Sequence, residues 1–264
     1  MLANTKAPMD IVFVGAGRLA TNLAMALHAK GHRITAVYSR TMASARMLAE
    51  AVDARATDDL AALPLEADAF VIAVKDAVLA DVVAQLHQQR ASQIFLHTAG
   101  SMPLSVFGSH CHGGVVYPMQ TFSKERLVDF APIHVFIEGC DAQTLQVARQ
   151  VASAVSSHVI ELSSEERRHL HLAAVFACNF ANHCYALSAE ILERHGLPFS
   201  AMLPLIDETA RKVSVMTPRE AQTGPAVRYD RNVMAAQEQL LAGEPEMQQI
   251  YEMMSKSIHR LADD

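Results

Sequence analysis

Val14-Gly15-Ala16-Gly17-Arg18-Leu19-Ala20 is the stretch that decides how this chain folds. Residues 15–20 spell G-x-G-x-x-A, and they stand between a short apolar run, Ile11–Gly15 (IVFVG), and a segment of helical spacing, Leu19–Lys30. That context carries more weight than the string itself. The first glycine permits a tight turn and the second lets backbone approach a pyrophosphate. Ala20 is small enough for close helix–strand packing. The helix that follows offers unpaired N–H groups and the positive end of its dipole. The stretch therefore reads as a dinucleotide cradle made by Gly15, Ala16, Gly17, Arg18 and Leu19. A plain glycine turn with no ligand is the other reading.

Outward from the loop, the first half of the chain alternates. Arg33–Tyr38, a short segment near Ala54–Ala56, Ala67–Val74 and Gln93–His97 read as strands. Met42–Ala51 and Ala77–Gln88 read as helices. The strand runs are apolar without alternation, as expected where both faces of a parallel sheet are covered. Gly114–Tyr117, Ile133–Glu138 and His158–Leu162 continue as strands, with a helix over Ala142–Ser156. From Ser163 onward β-branched runs disappear. Helical patterns cover Glu165–His195, Ser200–Val215, Asn232–Leu241 and Glu246–Asp264. The fold class is α/β: a Rossmann domain with a doubly wound, mainly parallel sheet over residues 1–162, then an all-helical domain over 163–264.

The end of the second strand bears on which dinucleotide is held. An Asp or Glu there accepts the ribose 2′-OH of NAD. This chain has Tyr38-Ser39-Arg40-Thr41, and no carboxylate. Arg40 can pair with a 2′-phosphate, with Ser39 and Thr41 as hydroxyl donors, so the expected cofactor is NADP(H). The competing reading makes Arg40 a solvated arginine and Ser39 or Thr41 a helix cap. Ligands in open α/β sheets sit at the carboxyl ends of the strands. Those ends are Ala73-Val74-Lys75-Asp76 and His97-Thr98-Ala99-Gly100-Ser101. Ala73, Val74, Lys75, Thr98, Gly100 and Ser101 are therefore cofactor candidates, and Lys75 is also a catalytic candidate. His97 reads as structural or as a cofactor contact, with acid–base work as the alternative.

Substrate-side candidates come from three places. Gln120, in Tyr117-Pro118-Met119-Gln120-Thr121-Phe122, follows a strand toward the same end of the sheet. His171, Val175, Asn179 and His183 recur every four residues and form one stripe on an apolar helix. Polar groups within such a segment need partners; these are a ligand, core neighbours or a subunit interface. His171 and Asn179 are candidate catalytic residues and His183 a substrate contact. Thr223-Gly224-Pro225, with Arg228 and Asp230, offers Thr223 and Arg228 as substrate ligands, while Asp230 can cap the helix beginning at Arg231. His110-Cys111-His112 lacks a fourth ligand at useful spacing, and no metal is expected there.

Composition narrows the classes. The 264-residue chain is 51% hydrophobic and 19% charged, with net charge −6, enough to bury a core. With no basic run, nucleic acid is not an expected partner. No stretch approaches the ~18 apolar residues of a membrane span, and residues 1–10 lack a secretory apolar region. The four cysteines form no C-x-x-C pair and read as reduced thiols of a cytoplasmic protein.

Taken together, VGAGRLA (14–20), AVKD (73–76), HTAGS (97–101), YPMQTFS (117–123), HLAAVFACNF (171–180) and TGPAVRYD (223–230) resemble a bacterial family. Its members are Rossmann-like, NADP-dependent oxidoreductases with a helical C-terminal domain of unassigned role. More distantly the chain is similar to pyrroline-5-carboxylate reductase, ketopantoate reductase, and the 3-hydroxyisobutyrate and 6-phosphogluconate dehydrogenases. The resemblance implies an active site between the two domains and a homodimer joined through the helical one. Where the hydroxyacid dehydrogenases place a lysine and, a turn later, an asparagine, this chain has His171 and Val175, with Asn179 a further turn on. Their TSGS-like segment reads Thr98-Ala99-Gly100-Ser101. Two functions follow as expectations: hydride transfer between NADP(H) and a small carbonyl, imine or hydroxy compound, or a non-catalytic NADPH-binding sensor or partner-binding protein. A third, an enzyme using a deazaflavin, has no discriminating residue.

Overall fold

In the computed structural model, which describes residues 7–108 and 112–263, the glycine loop follows β1 (Asp10–Val14) and opens α1 (Arg18–Ala29). The succession continues with β2 (Arg33–Tyr38), α2 (Met42–Ala51), β3 (Arg55–Thr57), β4 (Ala69–Ile72), α3 (Asp76–His87) and β5 (Ile94–His97). After a 3₁₀ turn at Leu104–Phe107 come β6 (His112–Pro118), β7 (His134–Gly139), α4 (Ala142–Val155) and β8 (His158–Glu161). The eight strands form one sheet in the order β3-β2-β1-β4-β5-β6-β7-β8. The order reverses between β1 and β4, the switch point where doubly wound sheets hold their ligands. One pairing is antiparallel, β6 with β7. No helix bridges residues 119–133, and without a crossover the chain returns in the opposite direction.

Alternate residues of each strand feed two cores. Ile11, Phe13, Val71, Leu96, Val135 and Ile137 pack with Leu23 and Leu27 of α1 and Val151 of α4. Val12, Val14, Phe70, Ile72 and Phe95 pack with Leu79 and Leu86 of α3. A third, smaller cluster joins Val115, Tyr117 and Phe136 to Leu104, Met119, Leu162 and Leu170. Through it α5 (Ser164–Ala174) lies on the β6–β7 end of the sheet.

That packing moves the edge of the first compact unit. The chemical change at Ser163 suggested an end at residue 162, whereas the unit extends to Cys178. The reason is tertiary: α5 belongs by pattern to the helical half and by contact to the sheet. The helix expected over Glu165–His195 is also not uniform. Val175–Phe180 winds as a π-helix between α5 and α6 (Ala181–Arg194). A four-residue recurrence suits both the 3.6-residue turn and the wider i→i+5 turn, so spacing alone did not separate them.

The second unit, Asn179–Asp264, holds α6, α7 (Leu203–Lys212), the short α8 (Pro218–Ala221), α9 (Arg231–Leu240) and α10 (Pro245–Asp263). Among its described residues only Ala226, Met247 and Ser255 are buried. His110 and Cys111 lie outside the described residues. Among those described, no group of three or more His, Cys, Asp or Glu is arranged to hold a metal, and no helix is long and apolar enough to cross a membrane.

Candidate functional site: a nucleotide cradle beside a tyrosine–histidine pair

The carboxyl ends of β1, β2, β4 and β5 are level with one another. Gly15 N–H donates to the Tyr38 carbonyl (2.8 Å), Ala73 N–H to Val14 (2.8 Å) and Thr98 N–H to Ile72 (3.3 Å). Four of the predicted cofactor segments therefore share one edge. Gly15 sits at φ +118°, and a Cβ there would collide with the Ala73 carbonyl oxygen. Gly17 has open space around its Cα, the clearance a pyrophosphate needs.

Two of the helices that start at this edge have bare N-termini. Neither Gly17 at α1 nor Thr41 at α2 makes a side-chain cap, and neither helix has an acidic residue in its first turn. Thr41 Oγ1 donates instead to Ser44 Oγ at 3.0 Å. By contrast α4, α5, α8 and α9 are capped by Asp141, Ser163, Thr217 and Asp230. Uncapped N–H groups with the dipole behind them suit phosphate: α1 for the pyrophosphate, and α2, beside exposed Arg40, for a 2′-phosphate. The residues present thus fit NADP(H). Its nicotinamide supplies a hydride when bound.

At the β4 and β5 ends the candidates separate. Lys75 is exposed at the start of α3. The Ser101 hydroxyl donates to the Asp76 carboxylate, which leaves its oxygen free to act only as an acceptor toward a ribose. Thr98 is buried. His97 is completely buried and stacked on Phe107 at 5.4 Å, and its Nδ1 accepts the Ala99 N–H. Burial, helped by the nearby Arg167 charge, pushes its pKa down to about 3. It is a neutral structural ring at physiological pH, which removes the acid–base alternative.

His171 on α5 is where this end of the sheet gains a chemical group. Its Nδ1 lies 2.9 Å from the buried Tyr117 hydroxyl at the end of β6. Gly100 is wedged against both: a Cβ there would stand 2.7 Å from His171 Nδ1 and 2.7 Å from Tyr117 Cζ. The β5 loop, β6 and α5 therefore converge on one pair of side chains. Burial raises the Tyr117 pKa, so its hydroxyl stays protonated.

Below this pair α5 is riveted down. Arg167, 1% exposed, pairs with Glu138 of β7 and donates to the Met102 carbonyl. Glu138 also accepts from Ser164 N–H (2.9 Å) and Oγ (2.7 Å), and Leu104 N–H donates to that same Oγ (2.8 Å). On the other side Asn22 of α1, 2% exposed, ties the 119–133 loop to the cofactor helix. Its Nδ2 donates to the Ser123 carbonyl (2.8 Å), and its Oδ1 accepts from Val128 N–H (3.0 Å). Gln120 and Thr121 are exposed on that loop, and Gln120 Oε1 accepts from Thr121 N–H.

Tyr117, Asn22, Arg167 and Glu138 were not singled out in the sequence. Asn22 did carry a signal, since it is a polar residue on an otherwise apolar face of its helix; Arg167, in the polar run of residues 163–169, carried none. Tyr117 carried none beyond standing at a strand end. Asn179, His183, Thr223 and Arg228 belong to the second unit, where all four are exposed. The turn bearing Thr223 and Arg228 has structural causes: Gly224 at φ +112°, Tyr229 at φ +51°, and Asp230 accepting from Val233 N–H. A cavity of about 790 Å³ lies at the opposite, amino edge of the sheet, lined by Met9, His32, Asp68 and Gln93 among others. Despite its size it is on the wrong edge for a parallel α/β sheet's ligand.

Comparison with known proteins agrees with this geometry. Residues 10–99 match a family described as NADP oxidoreductase, coenzyme F420-dependent, and residues 133–258 match a domain of unknown function, DUF2520. A candidate NADP oxidoreductase from Bacteroides fragilis is 50% identical, with a TM-score of 0.91 over 96% of this chain and 98% of that one. A Thermotoga maritima protein is 23% identical (TM-score 0.81, 96% and 100% covered). A Myxococcus stipitatus imine reductase in complex with NADP+ is 16% identical (0.64, 95% and 92%). These last two share the fold. A search of curated proteins returns no match. The chain belongs to the NADP-dependent oxidoreductase family that joins a nucleotide-binding sheet to a helical domain of unknown function.

Proposed function

We propose that this oxidoreductase transfers hydride between NADP(H) and a small carbonyl, imine or hydroxy compound. The observation that carries the reading is the His171 ring, held at the carboxyl end of β6 and against the β5 loop. Reducing a C=O or C=N bond needs a proton at the heteroatom besides the hydride at carbon, and His171 is the titratable group supported there. Lys75 and Gln120 are proposed to contact the substrate, as are Asn179, His183, Thr223 and Arg228 of the second unit. NADPH consumption with a panel of 2-ketoacids, aldehydes and cyclic imines tests this. Asn179→Ala and Arg228→Ala should lower turnover about 10-fold or more, roughly one lost hydrogen bond to a charged group, and spare NADPH affinity. No turnover across the panel with intact NADPH binding would overturn the reading.

We also propose that the active species is a homodimer joined through the second unit. A folded unit buries most of its apolar side chains, and this one leaves Leu203, Leu205, Val215, Leu240 and Met253 more than half exposed. A second copy of the same surface is the partner every copy of the chain has at hand. Leu205→Asp with Leu240→Asp should shift the mass measured by light scattering from two chains to one. An unchanged mass of one chain in the wild type would rule the dimer out.

A further inference from the structure

We infer that Tyr117 is the positioning residue that dedicates Nε2 of His171 to the substrate's heteroatom. This rests on the oxidoreductase reading above and names the atom that carries its proton. Nδ1 of His171 is the nitrogen bonded to the Tyr117 hydroxyl. No other hydrogen bond engages the ring among the described residues, so Nε2 is left for a ligand. His171 is half-buried and therefore open on one side.

A hydroxyl suits this task because it donates and accepts. With the ring neutral, the Tyr117 O–H donates to Nδ1 and the ring proton resides on Nε2. With the ring protonated, Nδ1–H donates to the Tyr117 oxygen and Nε2–H still points away from Tyr117. The same ring nitrogen is presented in both states. The protonated ring is the donor. Delivery of its Nε2 proton to a substrate oxygen or nitrogen leaves a neutral ring whose remaining proton sits on Nδ1 and is donated to the Tyr117 oxygen, and Nε2 regains a proton from solvent before the next turnover. The hydride and both electrons come from NADPH, so the C=O or C=N π bond is replaced by one C–H and one O–H or N–H bond.

Three neighbours fix the pair. Tyr117 is 8% exposed and packed with Val115 and Phe136, and its ring meets His171 edge-on at 6.0 Å. Gly100 fills the remaining side so tightly that a methyl group has no room. Met119 Sδ, 3.6 Å from the Tyr117 oxygen, is a weak acceptor for the hydroxyl proton when Nδ1 carries its own.

The test is made on the full-length protein with Tyr117→Phe, which keeps the ring and removes the oxygen. Nitrogen-15 NMR of the histidines, with His171→Gln as the assignment control, reads the tautomer without any cofactor. At a pH where the ring is neutral, wild-type His171 should be the Nε2–H form, and Tyr117→Phe should give a mixture. With a substrate from the panel, Tyr117→Phe should lower kcat about 10- to 100-fold, within the range of general acid–base contributions, with NADPH affinity and substrate KM within about twofold. A wild-type Nδ1–H tautomer would overturn the inference. So would a Tyr117→Phe protein with an unchanged spectrum, or with undiminished kcat. If Tyr117→Phe is unfolded, the wild-type tautomer still decides. Retention of full turnover by His171→Gln would instead sink His171 as the proton group while leaving the tautomer assignment to stand.

Discussion

The two units of this chain solve burial differently. The first wraps its sheet on both faces, with Ile11, Phe13, Phe70 and Phe95 all at 0% exposure. The second, nearly as helical as a chain can be, closes over Ala226, Met247 and Ser255 and little else among its described residues. Apolar burial is the main favourable term in folding, and among the described residues nearly all of it lies in the first unit. The second leaves Leu205, Val215 and Leu240 more than half exposed. A sheet covered on both faces and a helical unit with an open apolar surface are two different outcomes for the same apolar residue types.

The largest expected effect tests the rigidity of the first unit. Arg167→Met leaves the half-buried Glu138, 17% exposed, without its cation and should cost toward the lower end of about 3–5 kcal/mol, read as the urea midpoint of the sheet. A loss below about 1 kcal/mol would mean that the Ser164 hydrogen bonds and apolar contacts hold α5 without the ion pair. Gly15→Val attacks the cradle directly. Its side chain meets the Ala73 carbonyl, and NADPH affinity measured by calorimetry should fall at least about 100-fold, ~2.7 kcal/mol. The contrast itself can be broken by hydrogen exchange at two protein concentrations. Dilution should speed exchange in α6, α7 and α9 about 10-fold while leaving β1, β4 and β5 unchanged, as expected if only one unit relies on association. Equal protection at both concentrations would remove the distinction.

Arg40→Ala should weaken NADPH about 10-fold, ~1.4 kcal/mol, and leave NADH untouched. The smallest effect is a slope. His97 is held neutral to about pH 3 in the folded protein, against 6.5 as the unperturbed value. Between those values the unfolded chain binds a proton that the folded one does not, so stability falls as pH drops through that window. The slope is at most about 1.4 kcal/mol per pH unit. His97→Phe should flatten that acid limb in thermal melts, and an unchanged slope would assign the acid sensitivity to other groups.

What could be read in the sequence was what is local. The glycine loop, the missing carboxylate after Tyr38 and the strand ends depend on residues within one turn of each other, so pattern reveals them. The Tyr117–His171 bond spans 54 positions and the Asn22–Ser123 bond 101. Only the register of β6 and the packing of α5 bring such pairs together. Ser101 looked available to donate to a ribose because its acceptor, Asp76, is 25 residues earlier in the chain. The π-helix at Val175–Phe180 stayed hidden because polar residues four apart fit either winding.

Gly100 carries a consequence for anyone who would re-engineer this enzyme. The residue looks like an ordinary loop glycine, yet a Cβ there would stand 2.7 Å from both His171 Nδ1 and Tyr117 Cζ. Libraries that place a larger side chain at residue 100 will push the Tyr117–His171 pair out of line. The room for variation is at exposed Gln120, Thr121 and Lys124. There side chains can change while the Asn22 clamp, which grips backbone atoms of Ser123 and Val128, keeps the loop in place.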